Sequence, residues 1–186
     1  MRFFAKGKRG VILKEGNLVI KKAKPATISN ESFWIKKLNK YYIGPKFISK
    51  GEDYFSYRFV KGIEIIPYIT KSSRMKVNYV IHEVLRQCRR LDKLKVNKKE
   101  MHHPVKHILI QDLKLPKVTM IDFERCKITE YPKNVTQFCQ FLVSEKIKKL
   151  LKSKKIFLDA KDIKESLLIY KKDQSDKNFK NVLKLF

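Results

Sequence analysis

Acidic residues are scarce in this sequence of 186 residues, which has 18 Asp and Glu against 44 Lys and Arg and a net charge of +26. A field of this size attracts polyanions, among which RNA and ribonucleoproteins are the most abundant. A lysine-rich surface that is only solvated would have the same composition, so charge alone leaves both interpretations open. No zinc-finger, RRM or KH motif is present, and the spread of the lysines indicates contact with phosphates rather than with bases.

Cysteines and long apolar runs are also few. The three cysteines, Cys88, Cys126 and Cys139, are far apart and form no CxxC pair, which predicts reduced, buried thiols in a cytoplasmic protein. No run approaches the roughly 18 apolar residues of a membrane helix. The first ten residues, MRFFAKGKRG, lack the apolar core of a secretory signal. We therefore expect a globular, cytoplasmic protein without a membrane partner.

Residues 1–61 are predicted to form a first lobe of strands with one helix. Apolar alternation and turn residues set the bounds of these elements, which are 11–13, 18–20, 46–50 and 54–60 for the strands and 31–40 for the helix. Ser29 or Asn30 is expected to cap the helix. Lys61-Gly62 is the predicted hinge.

Residues 62–186 are predicted to form a mainly helical second lobe. Apolar residues recur at threes and fours in 72–95, and further helices are expected at 135–153, at 160–171 and near the end. Asn134 or Thr136 is the expected cap of the helix at 135. The apolar runs Ile108–Ile110 and Val118–Ile121 are predicted to pair as buried strands.

The most specific motif is Ile121-Asp122-Phe123-Glu124, directly after the second of these runs. It puts a carboxylate at the end of a strand and a bulky aromatic residue beside it, which we expect to pack inside. An ordinary exit from a strand is the alternative interpretation.

In order, these segments resemble the protein kinase-like fold, and most closely the small archaeal predicted Ser/Thr kinases related to the RIO kinases. The resemblance runs from Gly7 to about Leu142. It implies an α+β, two-lobed fold that binds ATP and Mg²⁺ in the cleft between the lobes. Only about ten residues separate Arg125 from the next helix, so the second lobe is expected to be reduced and to lack an activation segment.

The resemblance assigns the nucleotide-binding residues. Gly7 and Gly10 match the glycine-rich turn, and Leu18-Val19-Ile20-Lys21 matches the V-A-I-K strand, in which the lysine contacts the α- and β-phosphates. Glu31 would pair with Lys21, and Asp122 would bind Mg²⁺. The backbone at the hinge strand would meet the adenine edge, through Arg58, Phe59 and Val60.

Each of these residues also has an ordinary structural interpretation. The glycines suit any hairpin, and a lysine after an apolar strand is usually a surface residue. Glu31 could complement the dipole at the start of its helix. Lys22 should point to the face opposite Lys21, because side chains alternate along a strand.

The catalytic loop departs from the kinase pattern H-R-D-x-x-x-x-N. Counting back from the strand at Ile108, His102 stands at the Asp position and His107 at the Asn position. The pattern of Glu100, Pro104, Lys106 and His107 resembles that of the archaeal family. It implies that Glu100 orients a hydroxyl, His102 acts as a base, Lys106 neutralises phosphate and His107 binds metal or phosphate.

Other interpretations of this loop remain. Three histidines suggest a zinc site, but Pro104 interrupts any helix that would align them, and no cysteine is near. A pseudokinase that binds nucleotide with little chemistry is the stronger rival.

The leading hypothesis is an atypical Ser/Thr kinase, or a RIO-type ATPase, that acts on or near a ribonucleoprotein. The alternative is a catalytically weak pseudokinase that serves as a nucleotide-dependent RNA-binding module, and a kinase for sugars or other small molecules is a third. Residues 145–186, with 13 lysines against six acids, are a candidate basic surface for RNA or merely a solvated face.

Overall fold

A five-stranded antiparallel sheet and one helix make up most of the first part of the chain. The structure, a computed structural model, describes residues 2–6 and 10–186. The sheet has the order β1-β2-β3-β5-β4. Its strands are β1 (Arg2–Lys6), β2 (Gly10–Glu15), β3 (Leu18–Ala23), β4 (Phe47–Lys50) and β5 (Tyr54–Arg58), and the helix is α1 (Pro25–Asn39). The four predicted strands are confirmed, and β1 is an addition at the edge.

The β2–β3 hairpin follows from its turn residues. Gly16 has a φ of +55°, a left-handed conformation that a residue without a Cβ adopts readily. In the hairpin register, Ile12 lies opposite Lys21, and on the other side Lys21 lies opposite Phe55. This register places Lys21 in the interior of the sheet, with a neighbouring strand on each side.

Helix α1 begins six residues earlier than predicted. Pro25 is at its first turn, where a missing N–H costs nothing and the fixed φ suits a helix. The N-cap is Lys24, without a capping side chain, so the prediction of a cap at Ser29 or Asn30 is wrong. Both residues lie inside the helix, and their polar side chains serve other contacts.

The second part of the chain is mainly helical, as predicted. Its helices are α2 (Ile65–Lys71), α3 (Arg74–Lys93), α4 (Asn134–Val143), α5 (Glu145–Ser153), α6 (Ala160–Lys172) and α7 (Asp176–Leu183). The short strands are β6 (Ile63–Glu64), β7 (Val96–Asn97), β8 (Ile108–Gln111), β9 (Lys117–Met120) and β10 (Lys127–Ile128). β8 lies between β6 and β9, so the predicted strand pair is confirmed. The helix predicted at 135–153 is two helices, because Ser144 is extended with a ψ of 145°.

The chain divides into two compact units that exchange a short segment. The first comprises Met1–Lys61 and Thr119–Cys126, and the second comprises Gly62–Val118 and Lys127–Phe186. Asp122 and its neighbours therefore group with the sheet and α1.

A buried carboxylate of α3 organises the second unit. One oxygen of Asp92 accepts hydrogen bonds from the backbone N–H (3.0 Å) and the side-chain amide (2.7 Å) of Asn134. The other accepts from the N–H of Val135 (3.3 Å) and the hydroxyl of Tyr170 (2.9 Å). Asp92 thus caps α4 from another helix. The prediction of a cap at Asn134 or Thr136 is wrong, since the N-cap is Lys133 without a capping side chain.

The predictions about cysteines are consistent with the packing. All three cysteines are buried and free, and burial raises the pKa of the Cys88 thiol. Within residues 2–6 and 10–186, none of the helices is both long and apolar enough to pass through a membrane.

Replacing Asp92 with alanine should destabilise the second unit. The change leaves the buried donors of Asn134, Val135 and Tyr170 without their acceptor, and an unsatisfied buried group costs about 1–3 kcal/mol. We expect the free energy of unfolding, measured by urea denaturation, to fall by about 2–3 kcal/mol. The control Asp53→Ala removes an exposed carboxylate and should change it by less than about 0.5 kcal/mol. Equal losses in the two variants would contradict this role of Asp92.

Candidate functional site

The site is built around the lysine of β3. Alternation along the strand turns Lys21 inward and Lys22 outward, where Lys22 lies 3.7 Å from Asp53 with both side chains about half exposed. The side chain of Lys21 is largely buried, with 13% exposed. Burying an ammonium group is costly unless carboxylates compensate for it, so its partners define the site.

Glu31 is the closest partner of this lysine. Lys21 Nζ donates a hydrogen bond to Glu31 Oε2 at 2.6 Å. The other oxygen, Oε1, accepts from the backbone N–H of Phe123 at 3.4 Å. Glu31 lies on the buried face of α1, so this one carboxylate joins the helix to β3 and to the segment after β9.

Two more carboxylates reach Lys21 from that segment. Lys21 Nζ lies 3.7 Å from Asp122 Oδ1 and 3.5 Å from Glu124 Oε2. Asp122 has a φ of +62°, a left-handed backbone conformation that costs roughly 1–2 kcal/mol outside glycine. Such strain persists where the surroundings fix the backbone, and it concentrates at functional sites.

Helix α1 fixes the backbone of this segment through a relay of hydrogen bonds. Asn30 donates from its side-chain amide to the carbonyl oxygen of Glu124 at 2.6 Å. Its own amide oxygen accepts from the indole N–H of Trp34 at 3.1 Å. Trp34 is buried, so the position of Asn30, and with it that of Glu124, is set by the core packing of the helix.

Phe123 anchors the same segment. Its side chain is fully buried, as predicted from its place beside the strand end. Gly44, with a φ of +86°, leaves room for the ring, because a Cβ at Gly44 would lie 3.0 Å from Phe123 Cε2. The aromatic ring and Asn30 therefore hold both sides of the turn that carries Asp122 and Glu124.

The carboxylates control the protonation of Lys21. Burial alone would lower the pKa of Lys21, but its attraction to Glu31, Asp122 and Glu124 outweighs that effect and raises the pKa. Burial also raises the pKa of Glu31, with Lys21 opposing the shift. Burial raises the pKa of Tyr57, on β5, to about 12, with a further contribution from Glu31. At neutral pH Lys21 is charged and the Tyr57 hydroxyl is neutral.

The donor set suits a hard divalent cation. One carboxylate oxygen each from Glu31, Asp122 and Glu124 lies within 4.8 Å of the others. Mg²⁺ prefers oxygen ligands and is usually held by one or two carboxylates plus phosphates and waters. Glu31 is bound to Lys21, and the side chain of Asp122 is the most exposed of the three, at 33%. Asp122 and Glu124 are therefore the residues that could hold the ion.

Glu124 is the member of this cluster to which the sequence assigned no binding role. Comparison with the D-F-G motif of kinases places Glu124 at the glycine, where it would restrict the backbone, and suggests an ion pair with Arg125. Its acidic side chain two residues after Asp122 is the signal that could have identified it, because a tight turn can bring alternate side chains to one place.

Two of the three residues predicted to contact adenine already use their backbone N–H groups in hydrogen bonds within the protein. The N–H of Arg58 donates to the carbonyl oxygen of Lys46 at 2.8 Å, and the N–H of Phe59 donates to that of Asn17 at 2.7 Å. In the described part of the chain no hydrogen bond occupies the N–H of Val60. Of the three predicted residues, Val60 is therefore the one with a backbone donor for a base.

The predicted glycine turn is only partly described. Gly7 lies outside the described residues. Gly10 lies opposite Ala23 in the β2–β3 register, and a Cβ there would collide with the carbonyl oxygen of Lys22. Close packing of the two strands is thus a sufficient reason for glycine at position 10.

The predicted catalytic loop belongs to the second unit. His107 Nδ1 lies 3.6 Å from Glu100 Oε2, so these two residues meet, and Glu100 has a left-handed backbone with a φ of +76°. His102 and Lys106 are exposed. The start of the loop is fixed to α4, since the N–H of Lys98 donates to the side-chain oxygen of Asn134 at 2.8 Å.

Comparison with solved structures identifies the fold. The chain is similar to the crystal structure of the Rio2 kinase-ADP/Mg²⁺-phosphoaspartate complex from Chaetomium thermophilum, with a TM-score of 0.63 and 14% sequence identity. The similarity covers 97% of this chain and 68% of that chain. No protein-family model matches the sequence, and no curated protein matches it either. The chain therefore has an α+β kinase-like fold with a reduced C-lobe, as the sequence predicts, and the likeness establishes the fold alone.

Removing the charge of Lys21 should destabilise the protein, because Glu31 is left buried without a cation. Breaking a buried ion pair from one side costs about 3–5 kcal/mol, and we expect Lys21→Met to lower the free energy of unfolding by about 3 kcal/mol at pH 8. The matched variant Lys22→Met removes an exposed pair and should change it by less than about 0.5 kcal/mol.

The pH dependence of this loss has a defined sign. Without Lys21, burial holds the folded-state pKa of Glu31 above its unfolded value of about 4.3. The cost of the buried charge is then absent below the unfolded pKa and grows as the pH rises through the folded pKa. Urea denaturation should show a smaller deficit at pH 4 than at pH 8, and a deficit independent of pH would refute the assignment to Glu31.

Proposed function

We propose that this protein is an atypical Ser/Thr kinase, or an ATPase of RIO type, that binds Mg-ATP. The observation that supports it best is the contact of Lys21 with Glu31 at 2.6 Å, with Asp122 in the same cluster, inside a kinase-like fold. In protein kinases a β3 lysine paired to a helix glutamate positions the phosphates, and an aspartate after a strand binds the metal.

The proposed metal site consists of Asp122 and Glu124. Their carboxylates supply oxygen ligands on a turn that Phe123 and Asn30 hold in place, so little reorganisation is needed when the ion binds. Asp122 and Glu124 would hold Mg²⁺, which would supply positive charge against the phosphates during transfer. Glu31 remains the partner of Lys21 in this proposal.

Lys21 is the proposed ligand of the α- and β-phosphates. Its raised pKa keeps it charged, and its ion pair with Glu31 directs the ammonium group. For the adenine ring of ATP we propose a hydrogen bond that the N–H of Val60 donates. The carbonyl groups of Arg58 and Phe59 would lie beside the ring. Gly7 and Gly10 are proposed to let the backbone approach the phosphates closely.

The loop of the second unit is the proposed source of the acid-base groups. Glu100 would orient a substrate hydroxyl and His102 would accept its proton, while Lys106 would neutralise the transferring phosphate. The exposure of His102 and Lys106 supports these roles, since both side chains can meet a substrate from solvent. His107, beside Glu100, is proposed to bind metal or phosphate.

A catalytically weak pseudokinase that binds RNA in a nucleotide-dependent manner is the second candidate. The observation that favours it is the loop itself, where His102 and His107 replace the Asp and Asn that kinases use. The high positive charge favours a ribonucleoprotein as the surroundings of either activity.

Lys21 should matter more for Mg-ATP than its neighbour in sequence. We expect Lys21→Met to weaken Mg-ATP binding, measured by isothermal titration calorimetry, at least about tenfold, which corresponds to about 1.4 kcal/mol. Lys22→Met should stay within twofold of wild type. The double variant Lys21→Met/Glu31→Met removes the most deeply buried carboxylate together with its cation, so it should fold better than Lys21→Met and still bind weakly. Equal effects at positions 21 and 22 would contradict the proposed phosphate contact.

Phosphoryl transfer is the decisive test of activity. Wild-type protein with Mg²⁺ and γ-labelled ATP should transfer or hydrolyse the label, and Asp122→Asn should reduce the rate at least about 100-fold, because the metal supplies several kcal/mol of charge stabilisation. No turnover in wild type, with intact nucleotide binding, would favour the pseudokinase. Full activity in Asp122→Asn would eliminate Asp122 as the metal ligand.

A further inference from the structure

The face of α1 opposite the candidate site carries exposed aromatic and basic side chains. They recur at intervals of three and four residues, as one face of a helix requires. This α1 stripe consists of Phe33, Lys36, Lys37, Lys40, Tyr41 and Tyr42. The helix ends at Asn39, but Lys40 keeps helical angles and the N–H of Tyr41 donates to the carbonyl oxygen of Leu38 at 2.9 Å. The stripe therefore continues through the turn after the helix.

The three rings of the stripe are open to water. Phe33 is 53% exposed, Tyr41 is 41% exposed and Tyr42 is 89% exposed. Tyr42 has a φ of +58°, a strained conformation for a residue with a side chain. The buried face of α1 is formed by other residues, and of the three rings Phe33 also packs edge-on against Trp34, with ring centres 5.1 Å apart. Adjacent exposed aromatic residues on one element indicate a contact surface.

The charge around the rings has one sign. Residues 24–50 contain six lysines and a single acid, Glu31, and Glu31 is buried against Lys21 on the other face of the helix. Lys37 Nζ lies 5.7 Å from the Phe33 ring centre and 5.4 Å from that of Trp34. The stripe thus combines aromatic rings with ammonium groups that no acid of this segment neutralises at the surface.

We propose that the α1 stripe binds single-stranded RNA, with its lysines on the phosphates and its rings stacked on bases. Exposed aromatic rings beside basic residues are the usual means of holding unpaired nucleotides. From Phe33 to Tyr41 the stripe spans about 12 Å along the helix axis, enough for a few nucleotides. Every exposed apolar side chain of the stripe is aromatic, which favours bases over the aliphatic face of an acidic protein helix.

The proposal extends the RNA association of the proposed function and does not depend on Mg-ATP binding. Because Glu31 lies on the opposite face of the same helix, RNA on the stripe would also restrain the helix that supplies the partner of Lys21. The two sites share α1 but no side chain, and Phe33 is linked to the candidate site only through its edge contact with Trp34, so Mg-ATP binding reports whether a change in the stripe disturbs that site.

The test compares two variants that leave the net charge unchanged. Binding of a fluorescein-labelled 12-residue oligouridylate is measured by fluorescence anisotropy for wild type, Phe33→Ala/Tyr42→Ala and the control Tyr131→Ala/Phe157→Ala. The control removes two rings that are 79% and 72% exposed outside the stripe. Base stacking contributes about 1–3 kcal/mol per base, so the stripe variant should bind at least about tenfold more weakly, with the control within twofold of wild type.

Two further ligands separate stacking from charge. Inorganic polyphosphate has the charge but no bases, and a 12-base-pair RNA duplex keeps its bases stacked inside. Both should bind the stripe variant as well as they bind wild type, and Mg-ATP binding should also be unchanged. The proposal is overturned if wild type does not bind the oligouridylate or if the stripe variant binds it normally. It is also overturned if the stripe variant loses as much affinity for polyphosphate as for the oligouridylate.

Discussion

The ion pair between Lys21 and Glu31 is the interaction on which the candidate site depends. An ammonium group and a carboxylate that are both largely buried would each be unstable alone, so strand β3 and helix α1 must keep one relative position. Glu31 also accepts from the backbone of Phe123, and Lys21 also faces Asp122 and Glu124. One pair thereby sets the position of every charged side chain in the cluster.

The turn that carries Asp122 and Glu124 is held by distant parts of the chain together with its own Phe123. Asp122 has a strained backbone, and Phe123, Gly44 and Asn30 supply the packing and hydrogen bonding that maintain it. This rigidity suits a metal site, because ligands that are already in place lose little entropy on binding. In the same turn the carbonyl oxygen of Glu124 is fixed by Asn30, and its side chain lies beside Lys21.

The second unit is also organised by a buried carboxylate, that of Asp92. Asp92 accepts four hydrogen bonds from residues far away in sequence and so joins α3, α4 and α6, and Asn134 then holds the start of the loop that leads to Glu100. In both units a buried carboxylate with several donors fixes a segment that carries polar side chains. The exposed surface is different, because lysines dominate it and several aromatic rings, among them those of the α1 stripe, lie on it.

The resemblance to kinases implied the α+β kinase-like fold, and local patterns in the sequence were enough to predict most strands and helices, the inward direction of Lys21 and the burial of Phe123. These features follow from side-chain alternation, helical periodicity and turn residues, which act over a few positions. The capping of α4 by Asp92 and the place of Glu124 beside Lys21 were decided by tertiary structure. Each depends on a partner tens of residues away, and a buried charge or donor accepts whichever partner the packing brings within reach.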